Sequence, residues 1–310
     1  MGVYTKVRKE EITSHLKKYS IGELTGLKEI LEGIDNSNFI LETDQGKFIL
    51  TIFESRLAEN AEKDLPFFIN LKLHLAKNGI SCPRPILDNK GSALVDLKGK
   101  KSVIVTFLTG KAVAKITPNS CFEVGKILAK LHLAAADFSM SRKNDYGISN
   151  LRLLFSRFER LLDDYQKDLR EEILENLDFL ERSWNLDLPS AAVHLDFFPD
   201  NVFFDEDEKV SGVIDFYFAA NDALIYDFAV TTTAWVDDEK KFAALLRGYE
   251  EVRKFSEEEK DFLKIALVGA SMRFLLTRLH DMFFTAKNSF VTIKDPQEYL
   301  EKLRFFRAHA

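Results

Sequence analysis

The spacing of apolar positions changes period several times along the chain, and each change predicts an element. Ile12, Leu16 and Tyr19 recur at helical spacing, which predicts an amphipathic helix over residues 9–19. Residues 27–31 and 39–43 read as two strands separated by a segment rich in Gly, Asn and Ser. A third strand, KFILTIF, follows the Asp44-Gln45-Gly46 turn. Helical spacing returns over 62–77, with Leu65, Phe68, Ile69, Leu71, Leu73 and Leu75 apolar. Cys82-Pro83-Arg84-Pro85 must run extended, because each proline disfavours helix at the residue before it. A hairpin is expected over 92–97 and 102–108, turning at Lys98-Gly99-Lys100. From Pro118 the pattern is mostly helical: 121–136, long helices within 151–184, a helix opening at Tyr226-Asp227, and then 239–249, 256–285 and 295–308. One stretch interrupts it, VHLDFFPDNVFFDEDEKVSGVIDFY over 193–217, where two β-prone runs flank a charged insert and predict a β-hairpin.

A strand-rich first third followed by helices gives an α+β chain in two parts. The boundary falls at the end of the 102–108 strand, so residues 1–108 and 109–310 are the expected domains. At 310 residues there is ample chain for two cores, and 46% hydrophobic with 30% charged residues describes a globular protein. The 27 Phe are spread evenly, as core packing requires. A net charge of −6 without a basic run excludes a nucleic-acid partner. The polar start lacks a secretion signal, no apolar run is long enough to span a membrane, and Cys82 and Cys121 show no metal-ligand spacing. Together these features point to the cytoplasm. Oligomeric state is not legible.

The hairpin carries the chemistry. Asn201 enters its first strand and Asp215 leaves its second, so antiparallel pairing brings both oxygen donors to one end, beside His194 and Asp196. Two oxygen ligands suit Mg²⁺, which takes the rest of its shell from phosphates and water. A third carboxylate, Asp196, can orient a substrate hydroxyl and accept its proton. His194 then has a bracing role, and Asp227 at the start of the next helix is placed to cap it and reach back to the same loop. Turn-forming Asp and Asn are the plain alternative for Asp200-Asn201 alone, but not for the whole set.

H-x-D-x-x-x-x-N followed by Asp-Phe across a hairpin resembles the catalytic and metal-binding motifs of the protein-kinase-like fold. The chain is similar to the aminoglycoside-phosphotransferase superfamily of small-molecule kinases, and within it to bacterial homoserine kinases. The resemblance rests on 33–39 (GIDNSNF), 48–51 (FILT), 64–68 (DLPFF), 82–85 (CPRP), 104–108 (IVTFL), 194–204 (HLDFFPDNVFF), 214–219 (IDFYFA) and 273–279 (RFLLTRL). It implies a bilobal fold with an antiparallel sheet and helices in the first lobe and a mainly helical second lobe. It also implies ATP-dependent phosphorylation of the side-chain hydroxyl of L-homoserine.

Residue by residue, the resemblance makes Asp196 the base and makes Asn201 and Asp215 the Mg²⁺ ligands. Gly33, Asn36, Ser37 and Asn38 become a turn covering the ATP phosphates, and Thr106 and Leu108 the main-chain contacts to adenine. Kinases carry a phosphate-pairing Lys where this chain has Thr51, as these homoserine kinases also do; Lys47 or Arg56 are the nearby substitutes. An amino-acid substrate asks for a cation and an anion, for which Arg273, Arg278 and either Asp200 or Asp281 are candidates. The alternatives are a kinase for an aminoglycoside, a sugar or choline, the last caged by Trp235, Tyr217 and Tyr226, or a non-catalytic nucleotide-binding module.

Overall fold

The computed structural model describes residues 4–31, 36–54, 61–184, 187–285 and 293–309. The chain divides into two compact units, Met1–Gly110 with Ser211–Ile214, and Lys111–Val210 with Asp215–Ala310. Ser211–Ile214 joins the first because the Val213 N–H donates to the Ser81 carbonyl at 2.9 Å and Ser81 Oγ donates to the Ser211 carbonyl at 2.6 Å.

The first unit is an antiparallel sheet with strand order β1-β2-β3-β5-β4: β1 (Leu24–Glu29), β2 (Asn36–Thr43), β3 (Gly46–Phe53), β4 (Val95–Leu97) and β5 (Lys100–Thr106). Period-two alternation puts Phe39, Leu41, Leu50, Ile52 and Ile104 on one face, where Ile12 and Leu16 of α1 (Lys9–Leu16) and the following Tyr19 and Ile21 cover them. α2 (Ala61–Lys77) also belongs to this unit. The β4–β5 turn is two residues, Lys98 and Gly99, with φ of 53° and 77°, the primed geometry that matches strand twist.

The second unit contains α3 (Pro118–Ala134), α4 (Ile148–Ser156), α5 (Leu169–Ser183), β6 (Ser190–Val193), β7 (Val202–Phe204), β9 (Ala220–Ala223), α6 (Leu224–Trp235), α7 (Glu239–Val252), α8 (Glu257–Phe284) and α9 (Gln297–Ala308). β8 (Val210–Val213) pairs with β7. Its core is built from Leu151, Phe155, Ile173, Leu177, Val268, Met272, Leu275 and Leu300, drawn from α4, α5, α8 and α9. The 28-residue α8 begins at a capping box: Ser256 accepts from the Glu259 N–H and Glu259 returns the bond to the Ser256 N–H.

α3 and α7 cross at two glycines. A Cβ on Gly125 would stand 2.1 Å from the Leu245 carbonyl oxygen, and one on Gly248 would stand 2.0 Å from that of Phe122. Backbone cannot yield as a side-chain tip does, so only glycine permits this approach. Gly248→Ala should therefore lose about 1–3 kcal/mol through overpacking. Urea denaturation measures it; a variant as stable as the parent would show that the helices can part without cost.

Several sequence expectations need correction. Residues 36–38 do not form a turn but open β2, with Asn36↔Phe53, Ser37↔Ile52 and Asn38↔Thr51 in register. Their polar side chains are satisfied within the unit. Ser37 Oγ donates to Glu54 and accepts from the Tyr4 and Thr5 N–H groups, and Asn36 Oδ1 accepts from the Glu54 N–H. Gly33 and Arg56 lie outside the described residues. Thr51 Oγ1 donates to Asn38 Oδ1 at 2.8 Å, and Lys47 pairs with Glu42 at the surface. The Thr106 N–H is given to the Arg84 carbonyl at 2.9 Å, so only its carbonyl is left for a main-chain contact to adenine. No helix among the described residues is long and apolar enough to cross a membrane.

Candidate active site

β6 pairs antiparallel with β9, from Ser190↔Ala223 to Val193↔Ala220, and delivers the chain into the loop His194–Asn201. The loop turns at Leu195, whose φ of 62° is left-handed, a conformation costing a non-glycine residue about 1–2 kcal/mol. Buried groups hold it there. Asp227, fully buried in the first turn of α6, accepts from the Leu195 N–H at 2.7 Å and the His194 N–H at 3.1 Å. Arg273 of α8 donates Nη1–H to the Leu195 carbonyl at 2.7 Å. Both polar groups of the strained peptide thus have partners.

Asp227 is itself fixed from a third side. His132 of α3 bonds its Oδ2 through Nε2 at 2.9 Å and meets Tyr249 Oη through Nδ1 at 2.7 Å. Burial would raise the Asp227 carboxyl, but the bond to His132 and the backbone bonds outweigh it and hold the group below the usual carboxylate range. Asp227 does not cap α6, whose N-cap is Ala223; it reaches back from inside the first turn. His194 is buried between Phe197 and Phe216, and its Nδ1 accepts from the Asp196 N–H at 3.2 Å. Accepting at Nδ1 leaves the ring no role in taking a proton from a substrate there.

Asn201 donates through Nδ2 to the Asp196 carbonyl at 2.8 Å and to its carboxylate at 3.1 Å. That leaves Asn201 Oδ1 without a protein donor among the described residues. Past Asn201, β7 and β8 are joined by residues 205–209, an ordered connection. The Asp205 N–H donates to the Lys209 carbonyl at 2.9 Å, and Asp205 Oδ1 accepts from the Asp207 and Lys209 N–H groups. Asp215 follows β8 with a left-handed φ of 62° and an exposed side chain. Burial raises the Asp196 carboxyl to about 7, with the negative charges of Asp215 and Asp200 adding to the rise and Arg273 and Lys294 opposing it. The structure therefore gathers two carboxylates and an amide oxygen, one carboxylate tuned to neutral pH.

Residues 26–262 fit the model of the phosphotransferase enzyme family. The chain belongs to this family. The homoserine kinase of Brucella canis is 45% identical over 313 residues, covering 99% of this chain and 95% of the relative. Among solved structures, amicoumacin kinase in complex with AMP-PNP superimposes with a TM-score of 0.68 at 13% identity, covering 98% of this chain and 93% of the other. A spectinomycin phosphotransferase bound to ADP and spectinomycin gives 0.68 at 14%, covering 98% and 95%. The fold is thus that of the phosphotransferases, as expected from the sequence.

The second unit has a cavity beside the His194–Asn201 loop. It has a volume of about 580 Å³ and is lined by Phe198, Pro199 and Asp200 from the loop, Arg278 from α8, and Lys294 and Glu298 around the start of α9. Asp200 and Arg278, both candidates from the sequence, meet here, whereas Asp281 does not line it. Arg273 is not a pocket residue. It is 2% exposed, bonded to Leu195 and enclosed by Phe274, Tyr146 and Phe218 at 4.8, 5.4 and 5.8 Å, so its charge supports the loop from beneath. Lys294 and Glu298 escaped the sequence reading, since no periodicity or motif marks them. Trp235 and Tyr226 are buried, with Trp235 Nε1–H donating to the Phe197 carbonyl, which disposes of the choline cage.

Proposed function

We propose that this chain is an ATP-dependent homoserine kinase that transfers the γ-phosphoryl group of ATP to the side-chain hydroxyl of L-homoserine. The observation that carries this reading is 45% identity to a homoserine kinase along almost the whole of both chains. Asp196 accepts the hydroxyl proton as the oxygen bonds to the γ-phosphorus and the bond to the ADP oxygen breaks, giving O-phospho-L-homoserine and ADP. Asn201 Oδ1 and the exposed Asp215 carboxylate are hard oxygen donors fit for Mg²⁺ and would hold it; bound there, the ion would offset the negative charge of the phosphates. Leu108 serves the adenine; its main-chain N–H and carbonyl, beyond the end of β5, are unpartnered among the described residues. The small zwitterionic acceptor occupies the cavity beside Asp200.

Because the transition state is loose, the protein's work is placement and charge. That fits a loop held from three sides by Asp227, Arg273 and Asn201. The Asp196 carboxyl, raised to about 7, sets a pH limb. Protonated, it cannot accept a proton, so kcat/KM should fall as pH drops below about 7 and level off above it. Added positive charge at Asp215 stabilises the carboxylate, so raising Mg²⁺ should move the limb to lower pH. A rate flat between about pH 5 and 8 at every Mg²⁺ concentration would mean that the Asp196 carboxyl is not raised in the working enzyme. The product test is phosphorus NMR of a reaction containing Mg-ATP and L-homoserine. A new phosphomonoester coupled to the side-chain methylene supports the reading; ATP left intact would reject it.

A further inference from the structure

The pocket beside Asp196 holds five charged side chains, and most of them already have partners. Arg278 donates Nη1–H to the Asp295 carbonyl at 2.6 Å and to Glu298 at 2.7 Å, and its guanidinium lies 4.3 Å from the Tyr299 ring centroid. Glu298 also accepts from Lys302 at 2.6 Å. Both Arg278 bonds engage Nη1, so part of its charge is already answered by Glu298, and an incoming ammonium would compete with two cations for Glu298. Asp295 turns its carboxylate back to cap the Gln297 N–H at 2.9 Å.

Two groups differ. Lys294 has no carboxylate within 4.0 Å among the described residues, and its ammonium stands 5.2 Å from the centre of the Phe198 ring. Asp200 is exposed and has no ion pair or side-chain hydrogen bond among the described residues. It lies one residue from Asn201 and four from Asp196. Lys294 and Asp200 both line the cavity beside the loop that carries Asp196, with Phe198 of that loop.

Resting on the homoserine kinase reading, we propose that Lys294 and Asp200 are the specificity pair of the acceptor site. Lys294 binds the α-carboxylate and Asp200 the α-ammonium of a small hydroxy-amino acid, with Phe198 carrying its methylenes. A cation and an anion that line one cavity and have no ion pair among the described residues match a zwitterion, whose opposite charges sit on a single carbon. They select against a simple amine, which leaves Lys294 unanswered, and against a hydroxy-acid, which leaves Asp200 unanswered. Arg278, clamped by Glu298, shapes the far wall.

The test compares homoserine with its two deletion analogues, 3-amino-1-propanol (no carboxylate) and 4-hydroxybutanoate (no ammonium), using ADP release. Lys294→Met should raise the homoserine KM roughly 10- to 100-fold, the loss expected for a charge-assisted bond. The disadvantage of the variant should vanish with 3-amino-1-propanol and persist with 4-hydroxybutanoate. Asp200→Asn should show the reverse pattern, and Lys294→Arg should recover part of the homoserine affinity. The KM for ATP and the melting temperature report whether each variant is intact. Wild-type turnover of homoserine with an unchanged KM in Lys294→Met overturns the pair while leaving the kinase reading standing. Failure of the wild type itself to phosphorylate homoserine overturns both.

Discussion

Asp196→Asn should reduce kcat by roughly 10²–10⁴-fold, the usual contribution of a positioned general base. Asparagine preserves the shape of the side chain and its contact with Asn201, which approaches Asp196 at 3.1 Å, but it cannot take the hydroxyl proton. KM for ATP and for the acceptor should change little, because the lost interaction develops in the transition state. The change also removes a carboxyl that burial raises to about 7, so the low-pH limb of the remaining activity should disappear with it. Steady-state kinetics across pH checks both statements. Residual activity within a few fold of the parent, with the limb intact, would assign the proton to another group.

The largest effect on the fold should come from Asp227→Ala. This carboxylate is fully buried and accepts from the His194 N–H, the Leu195 N–H and His132 Nε2. Truncation leaves three buried groups without their acceptor, each costing about 1–3 kcal/mol. A loss of at least about 3 kcal/mol is therefore expected. Leu195, held at a left-handed φ of 62°, would lose the bond at its N–H and relax, so activity should fall further than the folded fraction does. Chemical denaturation gives the first quantity, and kcat of the folded fraction gives the second. A variant of near-normal stability would mean that water reaches the site and replaces the carboxylate.

What the sequence disclosed is what local physics encodes. The β7–β8 hairpin was legible because two β-prone runs flank an insert too charged to bury, and the turn proved well ordered because Asp205 caps its own insert. Asp196, Asn201 and Asp215 follow from that hairpin with no tertiary information. β6 and β9 were missed: at four residues each they are too short to show a period, and they become strands by pairing with one another. The polar Asn36-Ser37-Asn38 reads as a turn by composition, yet it lies in β2 because Glu54 and Thr51 meet its side chains across the sheet.

Charge is the hardest property to place from sequence. Arg273 and Arg278 sit on one helix five residues apart, and nothing local separates the one that supports the Leu195 carbonyl from the one that lines a cavity. Lys294 is legible only in three dimensions, where the course of the chain sets it over Phe198. The loop-bracing set was partly visible. His132 among apolar neighbours had to be satisfied by something, and the structure supplies Asp227 and Tyr249.

The most direct test of the central claim is a coupled ADP-release assay of the purified protein with Mg-ATP, run in parallel on L-homoserine, L-serine, choline, kanamycin and simple sugars, with Asp196→Asn as the control. The account predicts that kcat/KM is highest for homoserine and that turnover collapses in the variant. Saturable turnover of choline, kanamycin or a sugar, with homoserine inert, would keep the phosphotransferase and overturn the acceptor assigned to it.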